Sequence, residues 1–553
     1  MIGGEGADPP NLGDTTIFRG HLSQRERRPR TPSKQQTVCR LSSMPRTRQL
    51  LRGEITYTSA KEEEVNILHQ LSYYDKQTRF FSYLNDHRGW IKNVVAHHLN
   101  LNSPDACHVS DVENWLHGSF NVCIPVTVTI RSAKTVILRL PLPYRIGEDF
   151  MPGNGDEKVR CEAGTYAWLQ ENCPDVPIPE LYGFALSTGE TFTYYENLPL
   201  LHRWFHAMRF RAFAWLGYST PSGYVPHPAK GENAIKSSYL LLEYIESNRG
   251  SMLSNTWTDH QHDIKLRKNL FHSLSRILLS ITRIPIPRIG SFIIDHEGYL
   301  VLANRPLSIE IQQLENEEIP TGIHRDYTYS TVDSYVADVL TLHDNRFLHQ
   351  PNAINNLGDC VFQLSSLSAM RTVSKSFFER EFRRGPFVFS LTDIHQSNIF
   401  VNEDWNVTCL VDLEWACSLP IEMIRPFHWL TNKGVDELVP SEYDNVRAEF
   451  MDALKTEEEA MVGSKKNNSP LLSDIMNTTW AKGTFWFTLA LSSPSGLFMI
   501  FKEHIRPLFC EDHIEELNLV MPFLWGKDVG RIVSDKLSDK REYDRKLQQE
   551  FEA

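Results

Sequence analysis

The chain has 553 residues, of which 57 are Lys or Arg and 69 are Asp or Glu, so its net charge is −12; 41% of the residues are hydrophobic. This composition is typical of a globular protein and excludes a collagen-like or mainly disordered chain. The acidic balance argues against a broadly cationic nucleic-acid binder.

The apolar runs and the cysteines restrict the class of protein further. No uninterrupted apolar run approaches the roughly 20 residues that span a bilayer, so we predict no membrane span. The nine cysteines are scattered without a Cys-x-x-Cys pair, and the first residues lack the basic start and apolar stretch of a secretory signal. We therefore expect free thiols and a cytoplasmic location.

The two ends are predicted to be extensions. Residues 1–55 carry Gly, Pro, Ser and clustered arginines with little apolar periodicity, which predicts a disordered basic tail, the alternative being a basic targeting or anchoring arm. Residues 536–553 are rich in charge and are predicted to form a charged C-terminal tail, a solvated surface helix.

Between these ends, β-rich segments come first and helical patterns follow. The turn-rich sequence from Gly217 to Pro228 indicates an insertion loop near 196–236. We expect an α+β fold with a small β-rich lobe over 56–245 and a larger helical lobe over 246–535. In chain order, the predicted elements are strands at 121–130 and 135–140, a helix at 157–169, a strand at 239–245, a helix at 265–281, a hairpin at 289–299 and helices after 420.

The segment 387–415 is the most informative part of the sequence. Two apolar runs flank the loop Thr-Asp-Ile-His-Gln-Ser-Asn, and a turn and a third apolar run lead to Asp-Leu-Glu-Trp. Phosphoryl transfer needs a carboxylate for the acceptor hydroxyl and oxygen ligands for Mg²⁺. Asp393, Asn398 and Asp412 supply such groups, and four residues separate Asp393 from Asn398, as in the D-x-x-x-x-N catalytic loop.

This segment resembles the aminoglycoside phosphotransferase and choline-kinase-like family, more narrowly a fungal branch of unassigned substrate, over roughly residues 56–430. The resemblance implies a protein-kinase-like two-lobed fold that binds ATP and Mg²⁺. It implies that Asp393 is the catalytic carboxylate, that Asn398 and Asp412 hold the metal, and that Glu414 supports the metal site or the packing around it. Leu391 stands where the family usually has a loop His.

The resemblance also assigns nucleotide contacts in the β-rich half. Gly118 and Ser119 resemble the turn that covers the nucleotide. Arg139 occupies the place of the phosphate-binding Lys of the third strand, with Glu162 on the next helix as its ion-pair partner. Glu243 to Ile245 resemble the segment that lines the adenine pocket. For each group the alternative is structural: an ordinary bend, an exposed strand and helix face, and a core strand.

Two functions remain open at this point. The first is an ATP- and Mg²⁺-dependent phosphotransferase that acts on a hydroxyl of a small molecule. The second is a catalytically inactive pseudokinase or interaction protein, which Leu391, Arg139 and the sparse glycine turn favour. Protein-kinase activity is disfavoured because no Ala-Pro-Glu segment follows Asp412. The sequence does not identify the acceptor, protein partners or the oligomeric state.

Overall fold

A computed structural model describes residues 46–129, 133–228, 235–462, 470–510 and 512–552. Runs rich in Val, Ile, Leu and aromatic residues form the strands. In chain order the strands are β1 (Thr47–Leu50), β2 (Gly53–Thr56), β3 (Cys107–Val109), β4 (Leu116–His117), β5 (Asn121–Thr129), β6 (Ala133–Pro141), β7 (Leu181–Ala185), β8 (Thr191–Tyr194), β9 (Tyr224–Pro226), β10 (Tyr239–Glu243), β11 (Ser251–Met252), β12 (Ser291–Ile294), β13 (Leu300–Asn304), β14 (Phe387–Leu391), β15 (Ile399–Val401), β16 (Val407–Leu410) and β17 (Ala416–Pro420).

The helices dominate the second half of the chain. They are α1 (Tyr57–Glu62), α2 (Ile67–Gln70), α3 (Tyr73–Asp86), α4 (Arg88–His98), α5 (Asn154–Asn172), α6 (Leu200–Leu216), α7 (Trp257–His260), α8 (Ile264–Thr282), α9 (Ile309–Asn316), α10 (Val332–His349), α11 (Leu357–Val373), α12 (Pro440–Val462), α13 (Leu472–Lys482), α14 (Thr484–Leu491), α15 (Leu497–Ile500), α16 (Ile514–Val520), α17 (Pro522–Trp525) and α18 (Val529–Glu552).

The largest sheet among the described residues has eight antiparallel strands in the order β3-β5-β6-β10-β7-β8-β9, with β4 also paired to β5. β5 and β6 pair from Asn121↔Pro141 to Thr129↔Ala133, which confirms the predicted hairpin; residues 130–132 lie outside the described chain. Both faces of the sheet are covered, by α3 and α4 on one side and by α5 on the other. Burial on both faces explains why the strands read as nearly continuous apolar runs.

Helix α5 carries residues of the candidate site and is held tightly against the β12–β13 hairpin. A Cβ on Gly164 would lie 2.2 Å from the carbonyl oxygen of Phe292, so glycine is what permits this close approach. At the helix start, buried Arg305 donates two hydrogen bonds of 2.8 Å to Glu157 and further bonds to Glu315. The position of α5 is therefore set by backbone contact and by a buried ion-pair network.

The predicted segment 387–415 contributes strands to two small sheets. β14 pairs with β17, and β15 pairs with both β16 and β11. The β15–β16 hairpin turns through Asn402, whose side chain accepts hydrogen bonds from the Asp404 and Asn406 backbone. The predicted α+β class is confirmed, while the kinase-like arrangement of two lobes stays a prediction.

Both predicted extensions need correction. Residues 1–45 of the predicted tail lie outside the described chain, but β1 and β2 form a hairpin, so the ordered chain begins before residue 56. Helix α18 is not a solvated helix, because Tyr543, Leu547 and Phe551 are buried in a small core with Ile55 and residues of α1 and α2. An apolar residue every fourth position gives α18 this buried stripe.

The predicted insertion loop also contains regular structure. Helix α6 spans its first half, and β9 adds an edge strand to the main sheet beside β8; residues 229–234 lie outside the described chain. The helix was missed because the turn-rich sequence begins only at Gly217, the left-handed residue that ends it. Within the described residues, no helix combines the length and apolar character that a bilayer crossing requires.

Candidate functional site

The loop after β14 brings Asp393 and Asn398 together. The chain leaves β14 at Leu391 and makes a short 3₁₀ turn over Gln396–Asn398. The Asn398 side-chain amide donates to the Asp393 carbonyl oxygen at 2.9 Å and approaches the Asp393 carboxylate at 3.5 Å. Trp429 Nε1 donates to the Ile394 carbonyl at 2.7 Å and braces the loop from the other side. The loop is therefore held by a bond within the loop itself, from Asn398, and by a bond from Trp429 in the helical half of the chain.

Asp412 follows the end of β16 and lies beside the loop that carries Asp393 and Asn398. The Val411 amide donates to the Asn398 carbonyl oxygen at 3.0 Å, which aligns the two segments. Asp412 itself has φ of 61°, a left-handed conformation that aspartate tolerates better than most residues. Asp393, Asn398 and Asp412 line one cavity of about 260 Å³. The structure thus brings together the three residues predicted for catalysis and metal binding.

Arg139 on β6 contacts Asp412, one of the residues that line this cavity. Its guanidinium donates to Asp412 and to Glu414, and its Nη1 lies 3.1 Å from Glu162 Oε1. The predicted Arg139–Glu162 contact is therefore present, although neither Glu162 oxygen accepts a hydrogen bond from a described residue. A planar guanidinium with five N–H donors suits a position where several carboxylates meet.

Lys158 is a second cation in the cluster, and the sequence analysis missed it. Its ammonium group donates to Glu414 and, at 2.8 Å, to the Asn121 side chain, and it lies over the Trp415 ring at 5.2 Å. Asn121 in turn donates to Glu414 at 2.6 Å. Lys158 precedes Glu162 by four residues on α5, so the predicted helix already placed them on one face.

The cluster holds more negative than positive groups. Burial raises the pKa of Asp393 well above its ordinary value, and the charges of Asp412 and Glu414 raise it further. Burial alone would also raise the pKa of Glu414, but Lys158 and Arg139 outweigh this effect and keep that pKa low. With all groups ionised, two negative charges are in excess. The carboxylates are Glu162, Asp393, Asp412 and Glu414, and the cations are Arg139 and Lys158.

An oxygen-liganded divalent cation suits this donor set. Asp412 and Asn398 offer carboxylate and amide oxygens of the kind Mg²⁺ prefers, and Mg²⁺ often uses only one or two protein carboxylates with phosphate oxygens and water completing its shell. Among the described residues, no group of three or more His, Cys, Asp or Glu side chains forms a complete metal cage. A divalent ion held here would need ligands from a substrate or from water.

The predicted nucleotide contacts outside this cluster do not join it. Gly118 forms a tight turn, its amide donating to the Asn121 carbonyl at 3.1 Å, and the Ser119 carbonyl accepts from Arg145 at 2.8 Å. Glu243 accepts from the Glu180 amide at 3.2 Å and pairs with Arg249.

None of these residues lines the 260 Å³ cavity, and neither does Ile245, which lies half-buried beyond the end of β10. Their assignment to a nucleotide stays a prediction.

Comparisons with known proteins add little. No protein-family model and no curated protein sequence matches this chain. Among solved structures, macrolide 2'-phosphotransferase type I aligns with 80% of this chain and 97% of its own, at 12% identity and a TM-score of 0.29. It is a weak structural neighbour, and at this TM-score the likeness decides neither fold nor function.

Proposed function

We propose that this protein is an ATP- and Mg²⁺-dependent phosphotransferase with a protein-kinase-like fold that phosphorylates a hydroxyl of a small molecule. The observation that carries the proposal is the convergence of Asp393, Asn398 and Asp412 on one cavity beside a cluster that holds more carboxylates than cations. The sequence resemblance to the aminoglycoside phosphotransferase and choline-kinase-like family independently assigns the same three residues to catalysis and metal binding.

Each residue has a distinct role in this proposal. Asp393 orients the acceptor hydroxyl and accepts its proton, and Asn398 restrains Asp393 through the 2.9 Å bond to its backbone. Asn398 and Asp412 would hold Mg²⁺, which supplies charge neutralisation on the phosphates. Arg139, supported by Glu162, provides a permanent positive charge at the edge of the cavity.

A turnover assay tests the proposal. ATP consumption is measured with Mg²⁺ and a panel of hydroxylated small molecules, comparing the natural protein with Asp393→Asn and Asp412→Asn. We expect each substitution to lower kcat by about 100-fold or more, because the positioned base or a metal ligand is lost. The matched control is Asp404→Asn, which makes the same chemical change in the exposed β15–β16 turn, where, within the described part of the chain, the Asp404 carboxylate pairs only with exposed Lys265. Activity that survives both site substitutions contradicts the proposal.

The second candidate is a pseudokinase that binds nucleotide without turnover. One contact favours it: Arg139 donates to Asp412, so the carboxylate proposed as a metal ligand is already engaged by a cation. The 260 Å³ cavity is also below the range of about 300–1,000 Å³ that is usual for ligand pockets.

Thermal unfolding with ATP, alone and with Mg²⁺, separates the two candidates. A shift with ATP that Mg²⁺ does not increase, together with no turnover, identifies the pseudokinase. A shift that requires Mg²⁺ and disappears in Asp412→Asn supports the enzyme.

A further inference from the structure

A second, larger cavity lies among α9, α10, α14 and the segment after β17. About 700 Å³ of space lies between its walls, part of it open to solvent. Most of its wall is apolar, with side chains such as Ile311, Leu314, Val339, Leu342 and Leu491. An apolar lining with a few polar groups is suited to an organic ligand.

His343, Arg425 and Glu310 are among the polar side chains that interrupt the apolar wall. His343 is 4% exposed; its Nε2 donates to the Leu491 carbonyl at 2.9 Å, and its Nδ1 has no hydrogen-bond partner among the described residues. Arg425 donates to Ser492 at 3.0 Å, and Glu310 is half-buried close enough for its charge to act on Arg425. Burying the His343 Nδ1 atom without a hydrogen-bond donor costs free energy, and a ligand hydroxyl would supply that donor.

Glu310 also connects this cavity to the candidate catalytic site. Its charge is among those that act on Asp393. The β14–β17 pair lies between the two cavities, since Leu391 lines the smaller one and Leu419 the larger one. The two cavities therefore lie on opposite sides of this strand pair, and Asp393 lines only the smaller one.

We propose that the 700 Å³ cavity is a binding site for a mainly apolar, uncharged alcohol. This site is distinct from the cavity lined by Asp393, and its ligand class rests on the lining of the larger cavity alone. One carboxylate and one guanidinium line the wall, so a polycationic ligand would bring several unpaired charges against apolar side chains.

Calorimetric binding to the full chain without ATP tests the ligand class. Farnesol serves as the apolar alcohol and kanamycin A as the polycationic one. We expect saturable farnesol binding that Val339→Trp weakens by about tenfold or more, because the larger ring fills the cavity. Val339→Met, which adds less volume, provides a second variant with a milder effect. Ala337→Trp is the control, since Ala337 lies on the same helix but is exposed.

The outcomes separate the two proposals. Farnesol binding that the Val339 variants weaken supports the ligand class whether or not the protein turns over ATP, because the turnover assay tests the phosphotransferase separately. Binding of kanamycin A alone, binding of neither probe, or farnesol binding that both Val339 variants leave unchanged overturns the apolar binding site.

Helix α6 carries a second inference on independent grounds. None of its residues is buried, and its most exposed side chains are large and apolar. Leu200 is 82% exposed, Leu201 83%, Trp204 67% and Trp215 86%. The half-buried positions, such as Phe210, which packs on Tyr195, form the opposite face. Such a concentration of exposed aromatic and aliphatic groups marks an interaction surface.

The charges of α6 indicate the partner. Arg203, Arg209 and Arg211 lie on the helix with no acidic residue between 200 and 216, although the whole chain has a net charge of −12. A helix that combines Trp, Phe and Leu with arginine lies in the plane of an anionic bilayer surface, with its apolar side chains at the headgroup boundary. We infer that α6 docks this protein on anionic phospholipid membranes.

Vesicle flotation tests this inference. We expect the full chain to float with vesicles of equal parts phosphatidylcholine and phosphatidylglycerol and not with phosphatidylcholine alone. Replacing the three arginines by glutamine should lower partitioning by about 100-fold. The double variant Trp204→Ser/Trp215→Ser should also abolish flotation, with an intact fold because neither side chain is buried. Tyr74→Ser removes an aromatic side chain of α3 that is 46% exposed and is the control.

Three results overturn the membrane inference. The first is flotation that is equal on neutral vesicles, and the second is flotation that the tryptophan variant retains. The third is self-association, without vesicle binding, that the α6 variants relieve. In that case α6 meets a second copy of the chain, for which the exposed apolar and acidic segment 514–524 is the complementary surface.

Discussion

Replacing Arg305 by Met should destabilise the protein strongly. Arg305 is fully buried and pairs with Glu157 and Glu315, each contacted by two of its nitrogens. Removing one partner of a buried ion pair costs about 3–5 kcal/mol, because a charge is left uncompensated. Here two carboxylates lose the same partner, but each keeps others: Glu157 retains Arg325 at 3.0 Å, and Glu315 retains Asn154 at 3.0 Å.

We therefore expect a loss of about 4 kcal/mol rather than twice that figure. Urea unfolding measures it, and Arg325→Met, which removes a partner of Glu157 that is 35% exposed, should cost only about 1 kcal/mol. A loss below about 1 kcal/mol for Arg305→Met would falsify the view that this network holds α5 in place.

Three further changes test the packing and electrostatics. Gly164→Ala should destabilise by about 1–3 kcal/mol in urea unfolding, because the new methyl group meets the Phe292 carbonyl; an unchanged midpoint contradicts that contact. Leu547→Ala should cost about 2–5 kcal/mol in the core that α18 shares with Ile55, and faster proteolysis of the N-terminal hairpin would locate the effect.

Burial lowers the pKa of His343 from its ordinary value of 6.5 to about 4. Between these two pH values, His343 binds a proton more readily in the unfolded chain than in the folded one. Stability is thus complete above pH 6.5 and falls by about 3 kcal/mol as the pH drops to 4, and His343→Gln should flatten this dependence in unfolding experiments across that range.

Sequence patterns predicted the elements whose apolar residues recur at a regular spacing because one face of the element is buried locally. β5, β6, α5 and α8 have apolar faces that are buried locally, and all four lie close to their predicted bounds. The polar motif within 387–415 predicted the loop and the hairpin because each of its polar groups follows an apolar strand. The sequence alone therefore predicted that Asp393, Asn398 and Asp412 lie together, as the structure shows.

Elements that depend on distant partners were not predicted. Helix α18 has few apolar residues, and the remote strand β2 with helices α1 and α2 makes its stripe a buried surface. None of the residues of helix α6 is buried, so its composition did not follow the inside-outside pattern that sequence analysis relies on. Lys158 was overlooked because a lysine on a helix is usually solvated, and its bonds to Glu414 and Asn121 explain its burial.

The contacts of Arg139 bear on both candidate functions, the phosphotransferase and the pseudokinase. A lysine there, with a compact ammonium group, would not span Glu162, Asp412 and Glu414 at once, whereas the guanidinium contacts all three. Lys158 takes over part of the charge on Glu414, so Arg139 can exchange its bond to Asp412 for a phosphate oxygen without leaving Glu414 uncompensated. Lys158→Met should therefore impair nucleotide binding through Glu414 rather than through a contact of its own, and Glu414→Gln in that background should restore it.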